Sequence, residues 1–350
     1  MSKTLQDYAT LINDTIQSNE INHYITTDNM CQNLGGIDTF KNINIPQGKV
    51  RSFQKDDILL SNIRLYFRKV YRAKQKGGCS SDVLVFRAKH IDSATLFAIL
   101  SSQIFTDYAC SGSQGSKMPR GNKTHMMDFK IPTINFTIAK IFNSIQNKIE
   151  NNHKINELLH TLAYKIYEYY FKYKPKNAKL EQIIIENPKS SIMVKNAQKT
   201  QDKYPFFTSG DNILSYPKAI IDGRNCFLNT GGNAGIKFYV GKASYSTHTW
   251  CIGANEFSDY LYLLLSSIKN HINQRFFQGT SLKHLQKNLL KKYPIYMPSA
   301  HEIKKFNQII IPLLTLISIN TRTSKKLEQT RDFLLPLLLK QQVKPKQKIL

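Results

Sequence analysis

Ten positions constrain this chain most: Ile138, Phe142, Ile145, Ile149, Asn152, Asn156, Leu159, Ala163, Ile166 and Tyr170. They alternate steps of four and three, the 3.5-residue repeat of a helix that packs along another helix. Adding 168 to each number gives Phe306, Ile310, Leu313, Ile317, Asn320, Ser324, Leu327, Arg331, Leu334 and Leu338, again mostly apolar. The polar break recurs as well, with Asn152 answering Asn320 and Asn156 answering Ser324. Two unrelated amphipathic helices would rarely share both patterns. The chain therefore reads as a duplicated unit of about 168 residues, each copy ending in a long helix.

Packing between the helices is expected at Ile145, Ile149, Asn152 and Leu159 on one, and at Leu313, Ile317, Asn320 and Leu327 on the other. A buried seam asparagine lowers stability but fixes register, the role expected of Asn152 and Asn320 if the helices pack on each other within one chain. Pro312 is expected only near a helix start. Arg331 stands where the first copy has Ala163, so the second helix is expected to be the less regular.

At 350 residues there is room for about two domains, each with its own core. A hydrophobic fraction of 41% marks a folded chain. The 49 Lys+Arg against 24 Asp+Glu leave a net charge of +25, far more than solubility requires. Such an excess points to a polyanion, nucleic acid first. An anionic membrane is the weaker rival, because the basic residues are spread through folded segments. The apolar run Ile309 to Ile319 is broken by Pro312, Thr315 and Ser318 and is too short to span a bilayer. Asp7 falls where a signal peptide would be apolar, so a cytoplasmic protein without membrane contact is expected. Five scattered cysteines, Cys31, Cys79, Cys110, Cys226 and Cys251, suit neither disulfides nor a zinc site.

Along the first half, residues 1–20 suggest a short helix with Leu5, Tyr8, Leu11 and Ile12 on one face. Strands are expected at Tyr24–Met30, Asp56–Ser61 and Val83–Phe86, and an amphipathic helix over 94–109. A glycine- and serine-rich basic loop, 111–122, follows. The second half repeats the plan with a strand at Lys218–Asp222, a helix from Tyr260 to Ile268 and a glycine loop from Gly279. The frames agree while the loops and their charges differ.

The residues offer little for catalysis. Gly235 to Gly241-Lys242-Ala243 misses the phosphate-loop spacing and has alanine where a hydroxyl belongs. Asn187-Pro188-Lys189-Ser190 lacks the aromatic that would stack on a flipped base. Nine scattered histidines form no metal motif, and the acid pair Asp56-Asp57 stands alone. No catalytic residue and no metal ligand is expected.

The basic segment 62–76, interleaved with Tyr66, Phe67 and Tyr71, has a better claim on nucleic acid. Asn62 and Arg64 could reach base edges, while Arg68, Lys69, Arg72 and Lys74 neutralise phosphates. Glycine loops let backbone approach a phosphate, with Lys117, Arg120 and Lys283 supplying charge. In the second half Arg224, Asn233, Lys237 and His248 complete the expected DNA-binding set.

Taken in order, these stretches resemble the specificity subunit of a type I restriction-modification system. The resemblance rests on Tyr24-Ile25-Thr26-Thr27-Asp28-Asn29-Met30 with Gly35-Gly36-Ile37, on Asp57 to Arg64, on Gly78-Cys79-Ser80-Ser81-Asp82, and on Gly115 to Gly121. In the second half it rests on Ala219 to Arg224, Ser246 to Trp250 and Gly279-Thr280-Ser281, with Leu282-Lys283 where a proline is expected. It covers nearly the whole chain.

The resemblance implies an α+β fold: two similar mixed α/β target recognition domains, 1–134 and 174–299, separated by helices over 135–173 and 300–342 that form an antiparallel coiled coil. It also implies a non-catalytic subunit that reads a bipartite, asymmetric site in double-stranded DNA. Two methyltransferase subunits would methylate adenine at N6, and restriction subunits would translocate and cut. S-adenosylmethionine, ATP and magnesium would belong to those partners and no cofactor to this chain. A helix from Ile138 to Tyr170, at about 1.5 Å per residue, is roughly 48 Å long, a ruler for around 14 base pairs. The alternative is a coiled-coil adaptor or regulatory DNA-binding protein that acts without a nuclease.

Overall fold

A computed structural model describes residues 3–38, 43–131, 133–197, 203–210 and 213–339. Residues 1–2, 39–42, 132, 198–202 and 211–212 of the expected modules, and 340–342 of the expected second helix, lie outside them. The chain divides into two compact units, Met1–Glu150 with Lys326–Leu350, and Asn151–Lys325. Both divisions fall inside a long helix, so each unit holds one globular module and a part of each helix.

In the first unit an antiparallel sheet runs in the order Ala9–Ile12, Val83–Ala88, Ile58–Ser61, Val70–Arg72. The sequence Ile58-Leu59-Leu60-Ser61 is buried throughout, as in a strand covered on both faces. Ile58, Leu60, Leu84 and Phe86 join the core with the helices, whereas Leu59, Val83 and Val85 face the cluster around Phe53. That cluster lies under a second sheet, ordered Thr15–Gln17, Lys49–Phe53, Gly77–Cys79, Tyr24–Ile25, whose last pair is parallel. Three expectations fail here. The N-terminal helix is a single turn, Leu5–Tyr8, because Ala9–Ile12 pairs with Val85–Ala88 instead. The helix over 94–109 is two, Ser93–Leu100 and Gln103–Ser111, because the Ser102 hydroxyl accepts the Phe105 N–H and caps a fresh start. The strand expected at Tyr24–Met30 is also short, Tyr24–Ile25.

The second unit repeats the sheet as Ile185–Glu186, Thr249–Gly253, Arg224–Asn229, Ile236–Val240. Alternation again splits one strand between two cores: Cys226 and Leu228 to one side, Phe227 to the other with Phe207, Tyr239 and Tyr245. A smaller sheet again contains a parallel pair, Tyr204–Phe207 with Ser244–Tyr245. Lys218–Asp222, expected as a strand, makes a single bridge from Ile221 to Ala243.

The long helices run Phe136–Tyr167, continuing through a π turn at Glu168–Lys172, and Ala300–Leu338. Pro312 lies well inside the second helix, contrary to expectation. Gln308, whose carbonyl it leaves unbonded, and Pro312 itself are both exposed, so water can satisfy the group. The buried stripe matches the 3.5-residue seam at Phe142, Ile149, Asn152 and Ala163, but shifts by one residue to Ala139, Gln146, Tyr167 and Phe171 elsewhere. A straight helix drifts about 20° per heptad from a 3.5 repeat, and the helix ends pack into globular cores. Ala139, Phe142, Leu335, Leu338 and Leu339 sit in the core of the first unit. Ala163, Tyr167, Phe171, Phe306 and Ile310 take the corresponding places in the second. Each module is closed by the start of one helix and the end of the other.

Within the second unit the helices run antiparallel, and the polar break is a bonded layer. Asn152 donates to the Ser324 hydroxyl at 3.1 Å and Asn320 to the Asn156 carbonyl oxygen at 3.0 Å. Each asparagine thus meets the other repeat's second polar residue rather than its own counterpart. Asn152→Ala strands a buried hydroxyl and is expected to cost about 1–2 kcal/mol, while Asn152→Leu with Ser324→Ala is near neutral. Urea titration followed by Trp250, the single tryptophan, reads the second unit. Equal losses for the single and double variants would remove the case for a bonded layer.

The start of the second helix carries a pH-sensitive cap. Glu302 accepts from the Ser299 N–H and hydroxyl, both at 2.9 Å, and from the Tyr296 hydroxyl. The Ser299 N–H, with the Tyr296 hydroxyl, pulls its pKa down to about 2. Because the folded value is depressed, the stabilisation is complete above the unfolded value near 4.3 and is lost as pH falls toward 2. Glu302→Gln is expected to flatten the acid limb of the second unit's stability, measured by Trp250 fluorescence between pH 5 and 2. An unchanged limb excludes this cap as its source.

Candidate nucleic-acid interface

A cation serves a phosphate only if its charge reaches solvent, and the structure sorts the expected residues on this point. Several are bonded within the protein. Arg72 pairs with Asp56 at 2.8 Å and donates to Asn143, and Arg68 donates to the Ser101 carbonyl at 2.9 Å. Lys69 donates to the Thr27 carbonyl, and Lys237, at the same place in the second repeat, to the carbonyls of Thr208 and Gly210. Arg224 grips the buried Asp259 with two nitrogens and donates to Thr315 at 3.0 Å. Asn62 is buried. The acid pair is absorbed similarly, Asp56 by Arg72 and Asp57 by a two-nitrogen contact from Arg87.

Lys74, Lys117, Arg120, Asn233, His248 and Lys283 are exposed. Lys74 lies 3.2 Å from Glu150, and Arg120 is 3.0 Å from Asp82 with most of its side chain in solvent. The His248 carbonyl, not its ring, anchors the hydroxyls of Ser209 and Thr230. Arg64 lies between, half-buried, with Nη2 donating to the Lys117 carbonyl at 3.3 Å. Its backbone is left-handed, φ 51°, a conformation that strains a non-glycine residue.

The cause of that strain is a loop that both units share. Gln114 and Arg120 exchange backbone hydrogen bonds of 2.9 and 2.8 Å and close the turn from Gly115 to Pro119. Arg120 also bridges Ile63, and Arg64 donates its N–H to the Pro119 carbonyl at 2.9 Å. In the second unit Gln278 pairs with His284 and closes Gly279 to Lys283. His284 bridges Gly231, and Gly232, also left-handed at φ 78°, donates to the Lys283 carbonyl at 2.9 Å. Gly231 and Gly232 lie 168 residues after Ile63 and Arg64. Lysine in place of the expected proline leaves this closure unchanged.

Two aromatics at these surfaces stand outside the DNA-binding set expected from sequence. Tyr66, more than half exposed, stands between the left-handed Arg64 and Arg68. Trp250 donates to Glu186 at 2.8 Å beneath Lys287, and Lys291 pairs with the same carboxylate. An aromatic between two arginines was a visible signal for Tyr66; the Trp250 cluster is assembled from distant segments and left none. Among the described residues no group of His, Cys, Asp or Glu could hold a metal ion, and no helix is long and apolar enough to cross a membrane.

Residues 176–329 match the family model of the type I restriction modification DNA specificity domain. No curated protein matches the sequence. Among solved structures the chain is similar to the type I restriction-modification system S subunit from M. genitalium. Identity is 14%, coverage 97% of this chain and 96% of that one, and the TM-score 0.63, a likeness of fold. It is also similar to the HsdS subunit from Thermoanaerobacter tengcongensis, at 13% identity, 97% and 96% coverage and a TM-score of 0.37.

Proposed function

We propose that the chain is a DNA specificity subunit of the type I restriction-modification kind, a reading supported by the match of residues 176–329 to that family's domain, and that its two units each read one half of a bipartite duplex target. One observation carries this reading: the two units share sheet order and loop closure but present different side chains, Lys117 and Arg120 in one, Asn233, His248 and Lys283 in the other. Equal frames with unequal surfaces suit two unlike half-sites rather than a palindrome. The net charge of +25 supplies the attraction to phosphate.

The chemistry then lies with partners. Two methyltransferase subunits carrying S-adenosylmethionine would modify adenine at N6, and restriction subunits using ATP and magnesium would translocate and cleave, all in the cytoplasm. This chain contributes the choice of site and holds no cofactor of its own. An adaptor or regulatory protein is the second reading, and salt separates the two. Each phosphate neutralised adds about −0.9 to the slope of log affinity against log salt. Duplex binding by the full chain, alone or with its methyltransferase subunits, is expected to weaken at least about a hundredfold between roughly 50 and 200 mM salt. Binding that is absent, or indifferent to salt, sinks this reading.

A further inference from the structure

The two closed loops agree in sequence as well as in backbone. One reads Gln114-Gly115-Ser116-Lys117-Met118-Pro119-Arg120 and the other Gln278-Gly279-Thr280-Ser281-Leu282-Lys283-His284. Each has glutamine at the closing pair, a glycine of positive φ, a hydroxyl residue, and a basic residue at the return position. Three residues after the glycine stands an apolar side chain, Met118 or Leu282, exposed by 51% and 58%. Neither joins a core cluster.

The backbone behind each tip is fixed. The glycine folds toward the carbonyl of the apolar residue, so closely in the second unit that an added Cβ on Gly279 would lie 2.5 Å from the Leu282 oxygen. The residue after the tip is held by the N–H of Arg64 or Gly232. In the first unit this clamp persists although it forces an arginine into the left-handed region. A matched, rigid, solvent-facing apolar tip in two surfaces that otherwise differ is not explained by folding.

We propose that Met118 and Leu282 are wedges that enter the duplex between adjacent base pairs, each unstacking one step in the half-site read by its own unit. This rests on the DNA-reading function proposed above. Unbranched or γ-branched apolar side chains inserted at a base step are a recurrent means of kinking DNA from the minor groove. The charges beside the tips fit that position. Lys117 and Arg120 lie on either side of Met118 in the loop, and Lys283 and His284 directly follow Leu282, all four exposed and able to meet the phosphates on the groove walls. Such a wedge selects sequence without a base-specific hydrogen bond, because flexible pyrimidine–purine steps unstack most easily.

The test uses the full chain without methyltransferase subunits, so that no base is flipped by catalysis. The probe is a duplex that the chain itself selects from a random pool, with 2-aminopurine placed at successive positions of each half-site. Fluorescence is expected to rise at one step per half-site. Met118→Ala abolishes the rise in one half-site and Leu282→Ala in the other, each weakening binding about tenfold. Met118→Leu and Leu282→Met restore both signals, and melting of all four variants matches the parent. Unchanged fluorescence and affinity in both alanine variants overturn the wedge. So does unchanged DNA binding accompanied by lost methyltransferase association, which reassigns the tips to a protein contact. A parent chain with no salt-sensitive duplex binding overturns the function itself, a different failure.

Discussion

A chain ending at Lys325 is expected to keep the second unit folded and to lose the first. The removed segment carries Leu335, Leu338 and Leu339, all buried in the first unit's core beside Phe97, Ala139 and Phe142. It also carries Arg331, 2% exposed, whose guanidinium donates to the Gln146 side chain at 2.9 Å and toward the Asn33 carbonyl. A single buried leucine truncated to alanine costs about 2–5 kcal/mol, and a domain holds only about 5–15. Removing three leucines and stranding the buried Gln146 side chain exceeds what a module of this size can lose. Amide exchange should show residues 3–131 unprotected while the strands around Trp250 keep their protection and its fluorescence. Retained protection at Val83–Ala88 would falsify the view that the chain's last helix closes its first module.

Arg224→Ala is the second large effect, and it falls on stability rather than on DNA. Asp259 is 2% exposed, and its carboxylate is held by two nitrogens of Arg224. Removing one partner of a buried pair leaves an uncompensated charge and costs about 3–5 kcal/mol, whereas replacing both with apolar residues is often neutral. The variant should shift the Trp250 unfolding midpoint strongly, and Arg224→Met with Asp259→Leu should recover most of the loss. Were Arg224 instead a phosphate contact, the single variant would keep its midpoint and reduce the salt slope of DNA binding by about one. The two outcomes exclude each other.

The duplication was legible because periodicity and offset are properties of the chain itself. The steps from Ile138 to Tyr170 and their echo from Phe306 to Leu338 require no knowledge of what the helices touch. The glycine loops were visible for the same reason, since Gly115 and Gly279 stand at turns that need positive φ. The allocation of charge was not legible. Arg72, Arg224 and Lys237 have the same residue types as Lys117, Arg120 and Lys283, yet the first three are bonded within the protein and the last three reach solvent. The difference lies in Asp56, Asp259 and the Thr208 carbonyl, and only Asp56 lies within about twenty residues of its partner.

By itself the sequence determined that two similar modules are each followed by a long helix, because hydrophobic period and repeat spacing are local and survive without partners. The tertiary structure decided which helix end closes which module. It also decided that Asn152 meets Ser324 rather than Asn320, and that the seam shifts to Ala139, Gln146 and Phe171 near the cores. Those choices depend on antiparallel packing and on side chains far apart in the chain, which no local pattern records.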